Sequence, residues 1–323
     1  MLRNSVCTIF CAIALSFGTG ARAQSFISFD VPGSTFTGAS AINQDGAVVG
    51  RYIDKAGTSH GYLLKDGKFT TIDYPGAVYT QAWGINSQGD IVGVHYEDAT
   101  KIANSVGAHG FLLQQGAYTA LDYPGKFGLI PAHINDAGQI VGCNHDDGPS
   151  TGLLMGMHGF TFSNNSWSQL SMEMTMNNGI TADGSVIAGL LGDGTGNYHG
   201  YLASNGVVLP FDFPFSISTQ PWDISPSGDK VVGFYTDAAK KTHGFLMWLG
   251  DSVDSIRTFG LNPQLELIGP FAFVSIDYPG ATSTSAYGIN SRGDVVGRYV
   301  DAAGNTDGFF YSPGLRRPRE NQQ

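Results

Sequence analysis

The chain has 323 residues, a formal net charge of −10, and 42% hydrophobic but only 14% charged residues; this excludes a disordered protein and leaves material for a large core. Glycine supplies 45 residues, about twice the usual ~7%, a skew that suits many short strands joined by tight turns rather than long amphipathic helices. The acidic balance argues against a surface for polyanions, which needs clustered Lys and Arg, so nucleic acid is not an expected partner.

Residues 1–23 read as a signal peptide. Arg3 gives a positive start, residues 6–17 form an apolar run too short to span a bilayer, and Ala21-Arg22-Ala23 has the small-x-small form of a cleavage site. Secretion or periplasmic export is therefore expected, with cleavage near Ala23 and no membrane insertion afterwards. Cys7 and Cys11 would leave with this segment. Cys143 would remain as the single cysteine, so no disulfide can form within one mature chain.

From there on the sequence repeats. The block FTTIDYPGAVYTQAWGINSQGDIVGVHYED from Phe69 recurs as FVSIDYPGATSTSAYGINSRGDVVGRYVD from Phe273. Weaker copies place equivalent isoleucines at Ile42, Ile85, Ile134, Ile180, Ile224 and Ile289, spaced by 43, 49, 46, 44 and 65 residues. The long last interval holds an insertion at residues 249–270 that lacks the motif. Strand-rich periods of about 40–50 residues point to propeller blades. In the second copy, residues 80–86, 90–96, 108–113 and 118–122 read as four strands rich in β-branched and aromatic residues. Asn86-Ser-Gln-Gly89 and its equivalents at Asn43, Asn135 and Asn290 supply hairpin turns, with Asn at the first position and Gly at the fourth. Pro75 of the Asp73-Tyr74-Pro75-Gly76 corner ends the fourth strand, because it has no N–H to donate.

The two ends complement each other. SFISFDVPG at residues 25–33 is a fourth strand with no blade before it, and TDGFFY at residues 306–311 is a third strand with no fourth after it. The expectation is an all-β, six-bladed β-propeller of four-stranded blades over residues 24–312, closed by the N-terminal strand completing the last blade, because pairing these ends removes two exposed edges. Residues 313–323 would be a flexible basic tail, and the protein a monomer.

The recurring GIN-x-x-G-D-[IV]-VG stretches at residues 84–93 and 288–297, followed by HGFL at His109 and His243, resemble the HAF repeats of bacterial extracellular proteins. The resemblance covers nearly all of the mature chain, although the family's alanine after the histidine is glycine here at Gly61, Gly110, Gly159, Gly200 and Gly244. It implies export and a repeat fold, and it carries over no activity and no catalytic residue.

Features that recur in every copy are read first as structure. His60, His109, His158, His199 and His243, replaced by Asp307 in the last copy, are expected to bond a neighbouring blade's backbone. Asp54, Glu97 or Asp98, Asp146, Asp193, Asp237 and Asp301 are expected to cap the turn between strands two and three; the rival reading is an acid ring able to hold Ca²⁺ or hydroxyl-rich ligands. Tyr74, Tyr123, Phe213 and Tyr278 at the corners are candidates for sugar stacking, against a simple packing role between blades.

Departures from the repeat carry more information. Before the strand-one isoleucine, four copies have small residues while two carry His133 and Asp223, which become the catalytic candidates. They sit on blades three and five, near enough to share a ligand and expected to be too far apart to pair. Trp83, Trp222 and Tyr287, one position earlier, are candidates to face a ligand in the funnel. Cys143, His145, Met155, Met157, Met172, Met174 and Met176 gather on two copies, a donor set for Cu(I) against ordinary strand packing. No cofactor is otherwise expected. The sequence holds no P-loop, HExxH or CxxC motif. The leading function is therefore a secreted, non-catalytic module that binds a glycan or an envelope component. The alternative is a hydrolase or lyase with its site in the funnel, acting on polysaccharide or lactone.

Overall fold

A computed structural model describes residues 25–104, 107–146, 156–205, 207–249 and 272–312. The expected signal peptide and tail, the expected insertion apart from Leu249, and Met155 lie outside the described residues. The structure is all-β apart from one short 3-10 turn at Ala99–Asn104.

The described strands pair in antiparallel sets of four. The first set is β2 (Phe36–Ile42), β3 (Val48–Ile53), β4 (Ser59–Lys65) and β5 (Lys68–Ile72). The second is β6 (Tyr79–Ile85), β7 (Ile91–Tyr96), β8 (His109–Gln114) and β9 (Ala117–Leu121), within a residue or two of the strands read from the sequence. A third runs β10 (Gly128–Ile134), β11 (Ile140–His145), β12 (Met157–Ser163) and β13 (Ser166–Gln169), and a fourth β14 (Thr175–Ile180), β15 (Ile187–Gly192), β16 (Tyr198–Ser204) and β17 (Val207–Phe211). The fifth comprises β18 (Ser218–Ile224), β19 (Lys230–Thr236), β20 (Thr242–Trp248) and β21 (Ala272–Ile276). In the sixth, β22 (Ser283–Ile289), β23 (Val295–Val300) and β24 (Thr306–Ser312) take their fourth strand from the other end of the chain: β1 (Ser25–Phe29) pairs antiparallel with β24, from Ser25 opposite Ser312 to Phe29 opposite Gly308. Single parallel bridges, Phe36 to Thr306 and Ser59 to Tyr79, join three of these sets into one sheet, and the others remain separate four-stranded sheets.

Turn chemistry does more than reverse the chain. The Asn43 side-chain oxygen accepts the N–H of Asp45 and Ala47, closing its own hairpin. Its amide then donates to the carbonyl of Asn86 in the next set at 3.0 Å. Asn86 reaches Asn135, Asn135 reaches Thr181, and Asn290 of the last set reaches back to Asn43 of the first at 3.3 Å. One residue type at one turn position therefore satisfies its own backbone and fastens neighbouring sets together.

The glycine at the middle of each second strand, preceded by Val in five sets and by Ala188 in the fourth, is dictated by packing. A Cβ at Gly50 would lie 2.1 Å from the Gly38 carbonyl oxygen, and one at Gly93 2.2 Å from that of Gln81. Beneath these positions a ring from each third strand, such as Tyr62, Phe111, Phe160 or Phe309, is wholly buried between sets. Each innermost strand also carries a one-residue bulge: the register shifts between Ala39 and Ala41, Ala82 and Gly84, Pro131 and His133, Asn177 and Gly179, Pro221 and Asp223, and Ala286 and Gly288. A bulge re-aims the side chain at the extra residue, and Trp83, Trp222 and Tyr287 occupy three of these places.

Candidate functional site: the aromatic and arginine recess

Most of the repeated polar residues turn out to be frame. The expectation that the recurrent histidines bond a neighbouring blade is corrected: His60 Nδ1 lies 2.9 Å from the Asp73 carboxylate of its own set, and His109–Asp122, His199–Asp212 and His243–Asp277 repeat the contact. The aspartate of each Asp-x-Pro corner follows the strand that pairs with the histidine's strand, 13 residues on in three sets and 34 in the fifth, so the pairing of strands three and four brings the two together without help from other sets. His158 instead meets the backbone carbonyls of Leu170 and Met172. The turn acids cap their loops as expected. Asp54 accepts the N–H groups of Ala56 and Thr58, Asp193 those of Thr195 and Asn197, and Asp301 those of Ala303 and Asn305. All three carboxyls are held below their usual range, Asp54 first by the Thr58 N–H, Asp193 by the Thr195 side chain and then its N–H, and Asp301 by the Asn305 side chain and then its N–H, since each donor favours the ionised form.

The corner rings pack between sets. Tyr74 stacks on His95 at 3.6 Å between ring centres, Phe213 on Tyr235 at 3.7 Å and Tyr278 on Tyr299 at 3.7 Å, while Tyr123 leans on Trp167 at 4.9 Å. All four adjoin the buried clusters between successive sets. A face already covered by a protein ring is not available for a sugar.

The sulfur-rich group divides. Cys143, Met157 and Met176 share one buried apolar cluster with Ala132 and Leu190. Burial pushes the Cys143 thiol up to about 12, so it carries no thiolate at neutral pH, and its sulfur sits 3.7 Å from His145 Nε2. Met172 is exposed and Met174 lies at a positive-φ turn, so the gathering of methionines is a feature of sequence more than of space. Among the described residues no three His, Cys, Asp or Glu side chains are grouped to hold a metal ion.

His133 and Asp223 do meet, which corrects the expectation that they are too far apart to pair. His133 Nε2 lies 3.3 Å from Asp223 Oδ1, with 15% and 2% of the two side chains exposed. Gly179, at the same position in the intervening set, makes this possible: a Cβ there would lie 2.9 Å from Asp223 Oδ1. The carboxylate also accepts the N–H of Ile224 and, through its other oxygen, that of Ile289 on β22. It therefore ties the third, fifth and sixth sets together. Burial raises the Asp223 carboxyl to about 6, opposed by the His133 charge and by the two backbone donors. His133 borders a recess of about 360 Å³ on the side of the inner turns, walled by Ile42, Ile85, Ile180 and Ile289, and its Nδ1 is buried without a partner among the described residues. With both oxygens engaged and almost no exposure, Asp223 has the surroundings of a staple. The chain's G-x-S-x-G pattern at residues 57–61 spans the turn from β3 to β4, not the strand-to-helix elbow that exposes a nucleophilic serine.

A second recess lies at the bulges. Trp83 and Trp222, from the second and fifth sets, stack at 5.3 Å and 8°, and Tyr287 leans on Trp222 at 4.9 Å. Trp222 Nε1 is buried without a partner among the described residues. Beside this stack is a narrow cleft lined by Phe36, Ser40, Arg51, Gln81, Trp83, Tyr287 and Arg298. Small residues, Gly38, Ala39 and Ser40 on β2, leave the space that larger ones fill elsewhere. Sequence reasoning found the aromatic wall and missed the arginines. A visible signal was available: the residue after Val-Gly is Arg in only the first and last copies, VGRY at residues 49–52 and 296–299.

No protein-family profile matches the chain, and no curated protein matches it. The fold has close architectural parallels among solved structures. TolB from Acinetobacter baumannii superimposes with a TM-score of 0.52 at 12% identity over 83% of this chain, which spans 64% of the TolB length. A mutant Aleuria aurantia lectin in complex with Fucalpha1-6GlcNAc superimposes at 0.50, with 10% identity over 87% of this chain and 95% of the lectin. A putative TolB from Agrobacterium tumefaciens gives 0.50 and 11% identity, covering 73% of this chain and 74% of that one. At these identities the likeness concerns fold alone: an all-β architecture of four-stranded sheets of the β-propeller class. No helix among the described residues is long and apolar enough to cross a membrane.

Proposed function

We propose that the chain is an exported, six-bladed β-propeller, closed by β1 completing the last blade, that binds a glycan or a glycan-bearing envelope component through the recess beside Trp83 and Tyr287. Closure is supported by the pairing of β1 with β24, by the Asn290 to Asn43 hydrogen bond, and by the packing of β2 against β22 and β23. Export and kinship with the HAF repeats rest on the residues that suggested them in the sequence.

One observation carries the binding reading: Trp83 and Tyr287 at the inner-strand bulges border a recess also lined by Ser40 and by Gln81, whose amide oxygen accepts the Tyr79 hydroxyl and whose amide nitrogen is left to donate. Sugars offer C–H faces to rings and hydroxyls to such groups, and a concave site with a few convergent polar groups is the usual form of a small-ligand pocket. The lectin among the structural neighbours is in complex with a saccharide, a parallel of class. A glycan array followed by calorimetry tests the reading. Retention of at least one saccharide class is expected, lost in Gln81→Ala and Trp83→Phe at unchanged melting temperature. If no saccharide is retained, or if both variants bind as the parent does, the site is wrong.

A further inference from the structure

Arg51 and Arg298 hold one repeat position, where the other copies carry Val94, Cys143, Leu190 and Phe234. Strand β2, on which Phe36 lies, is in contact with β22, β23 and β24, so the first and last copies meet here. Both guanidinium groups converge on the Phe36 ring: the Arg51 Cζ is 4.5 Å from its centre and the Arg298 Cζ 5.7 Å. Arg298 also lies 5.1 Å from the Tyr287 ring and Arg51 5.7 Å from that of Tyr79. Ring contacts aside, neither guanidinium has a carboxylate or hydrogen-bond partner among the described residues. Arg292, by contrast, is held by Asp294 at 2.8 Å.

That is unusual in a chain with 27 acids against 17 bases. Two like charges share one aromatic ring in a partly enclosed recess, where screening is weaker than in water, and their fork-shaped donors are left unused. An oxyanion between them would relieve the repulsion and accept paired hydrogen bonds. Gly38 leaves the room, since a Cβ there would meet the Phe36 ring at 3.2 Å and Arg298 Cδ at 3.6 Å. A second recess of about 360 Å³ shares Phe36 and Arg298 as walls and continues past Phe234, Thr242 and Ser283, giving space for a further sugar unit.

We infer that the recess recognises an acidic saccharide, with the carboxylate of a uronic-acid unit held between Arg51 and Arg298. This rests on the saccharide-binding reading above and narrows it. The net charge of −10 repels long polyanions, so the fitting ligand bears isolated carboxylates on an otherwise neutral glycan.

Calorimetry of the full chain with glucuronoxylotriose, which carries one glucuronate, and with neutral xylotriose tests it. The acidic sugar is expected to bind at least tenfold more tightly, the preference shrinking as salt rises from about 50 to about 300 mM. Arg51→Gln with Arg298→Gln should abolish the preference, and Arg51→Lys with Arg298→Lys, which keep the charge and lose the fork, should retain part of it. Melting temperatures verify that the variants fold. Equal affinity for the two sugars, or a preference that survives the double Gln change, overturns the carboxylate site while leaving saccharide binding intact. If a sulfated or phosphorylated monosaccharide binds and the glucuronate sugar does not, the oxyanion is not a carboxylate and the inference fails. Absence of binding by any of these sugars, together with a blank glycan array, removes both readings.

Discussion

The outer parts of the sets and their inner strands obey different rules. Outside, the same contacts return from copy to copy: a histidine on its own corner aspartate, a turn aspartate on two backbone N–H groups, a corner ring stacked on the next set. At the inner strands and the second strands beside them the copies diverge, and among the described residues a buried His133–Asp223 pair and two arginines without acidic partners occur there. Periodicity in this molecule marks what each unit needs in order to fold and dock. Its breakdown marks where side chains from different units are combined into something that no single unit contains.

The largest expected effect tests the frame itself. Deleting residues 25–29 removes the pairing of β1 with β24 and the contacts of Phe26 with Tyr278, Phe309 and Tyr311. A loss on the order of 3–5 kcal/mol is expected from the apolar burial and hydrogen bonds forfeited, out of a total that is usually ~5–15 kcal/mol. Denaturant titration and sedimentation should show marked destabilisation with aggregation or strand-exchanged dimers. An unchanged monomer would mean that the seam contributes nothing.

Next comes the inner staple. Asp223→Ala leaves two buried backbone N–H groups and a histidine nitrogen without their acceptor, and should cost about 3 kcal/mol or more in chemical denaturation. The pH dependence has a definite sign. With the folded carboxyl raised to about 6 and the unfolded one near ~3.9, the folded state holds the extra proton between those values. This contribution is therefore full below about pH 4 and is lost as pH rises through about 6. Asp223→Asn should flatten that part of the stability profile. A slope that persists in the variant would belong to another group.

Rim changes should be smaller. His60→Ala breaks a contact whose aspartate is half exposed, and pairs of that kind contribute no more than about 1 kcal/mol. A loss comparable with that of Asp223→Ala would erase the distinction between the two regions. The smallest effect is expected from Asp307→His, which restores the repeat at its last position. Asp307 is raised from its usual range by burial and then by the neighbouring Asp30 charge, so ionising it above its raised pKa costs stability. The substitution should raise the melting temperature slightly at neutral pH and leave it unchanged or lower at acid pH.

How much of this was readable depends on distance along the chain. The second copy's strands lie where alternation and Asn-x-x-Gly turns put them, because those signals act within a few residues. The roles of Asp54, Asp193 and Asp301 were equally local. His60 meets Asp73 of its own set and not a neighbouring one, because the hairpin of β4 and β5 returns the corner aspartate to it. Tyr74 and Tyr278 were legible as aromatic corners, but not as stacked on His95 and Tyr299, since that needs the neighbouring set in place.

The repeat, the four strands of each copy, the turns and the complementarity of residues 25–33 with residues 306–311 are written in the residues themselves, since all of them follow from short-range steric and hydrogen-bonding rules applied again and again. That His133 and Asp223 touch across the glycine of an intervening set, that Trp83 meets Trp222, and that Arg51 and Arg298 share one phenylalanine ring emerges with the packing of the sets. Each of these arrangements joins copies remote in sequence, and the Trp83–Trp222 contact does so from two bulges. The consequences, a carboxyl lifted by burial and two guanidinium groups without an acid, depend on which groups end up enclosed together, and enclosure is a property of the assembled sets.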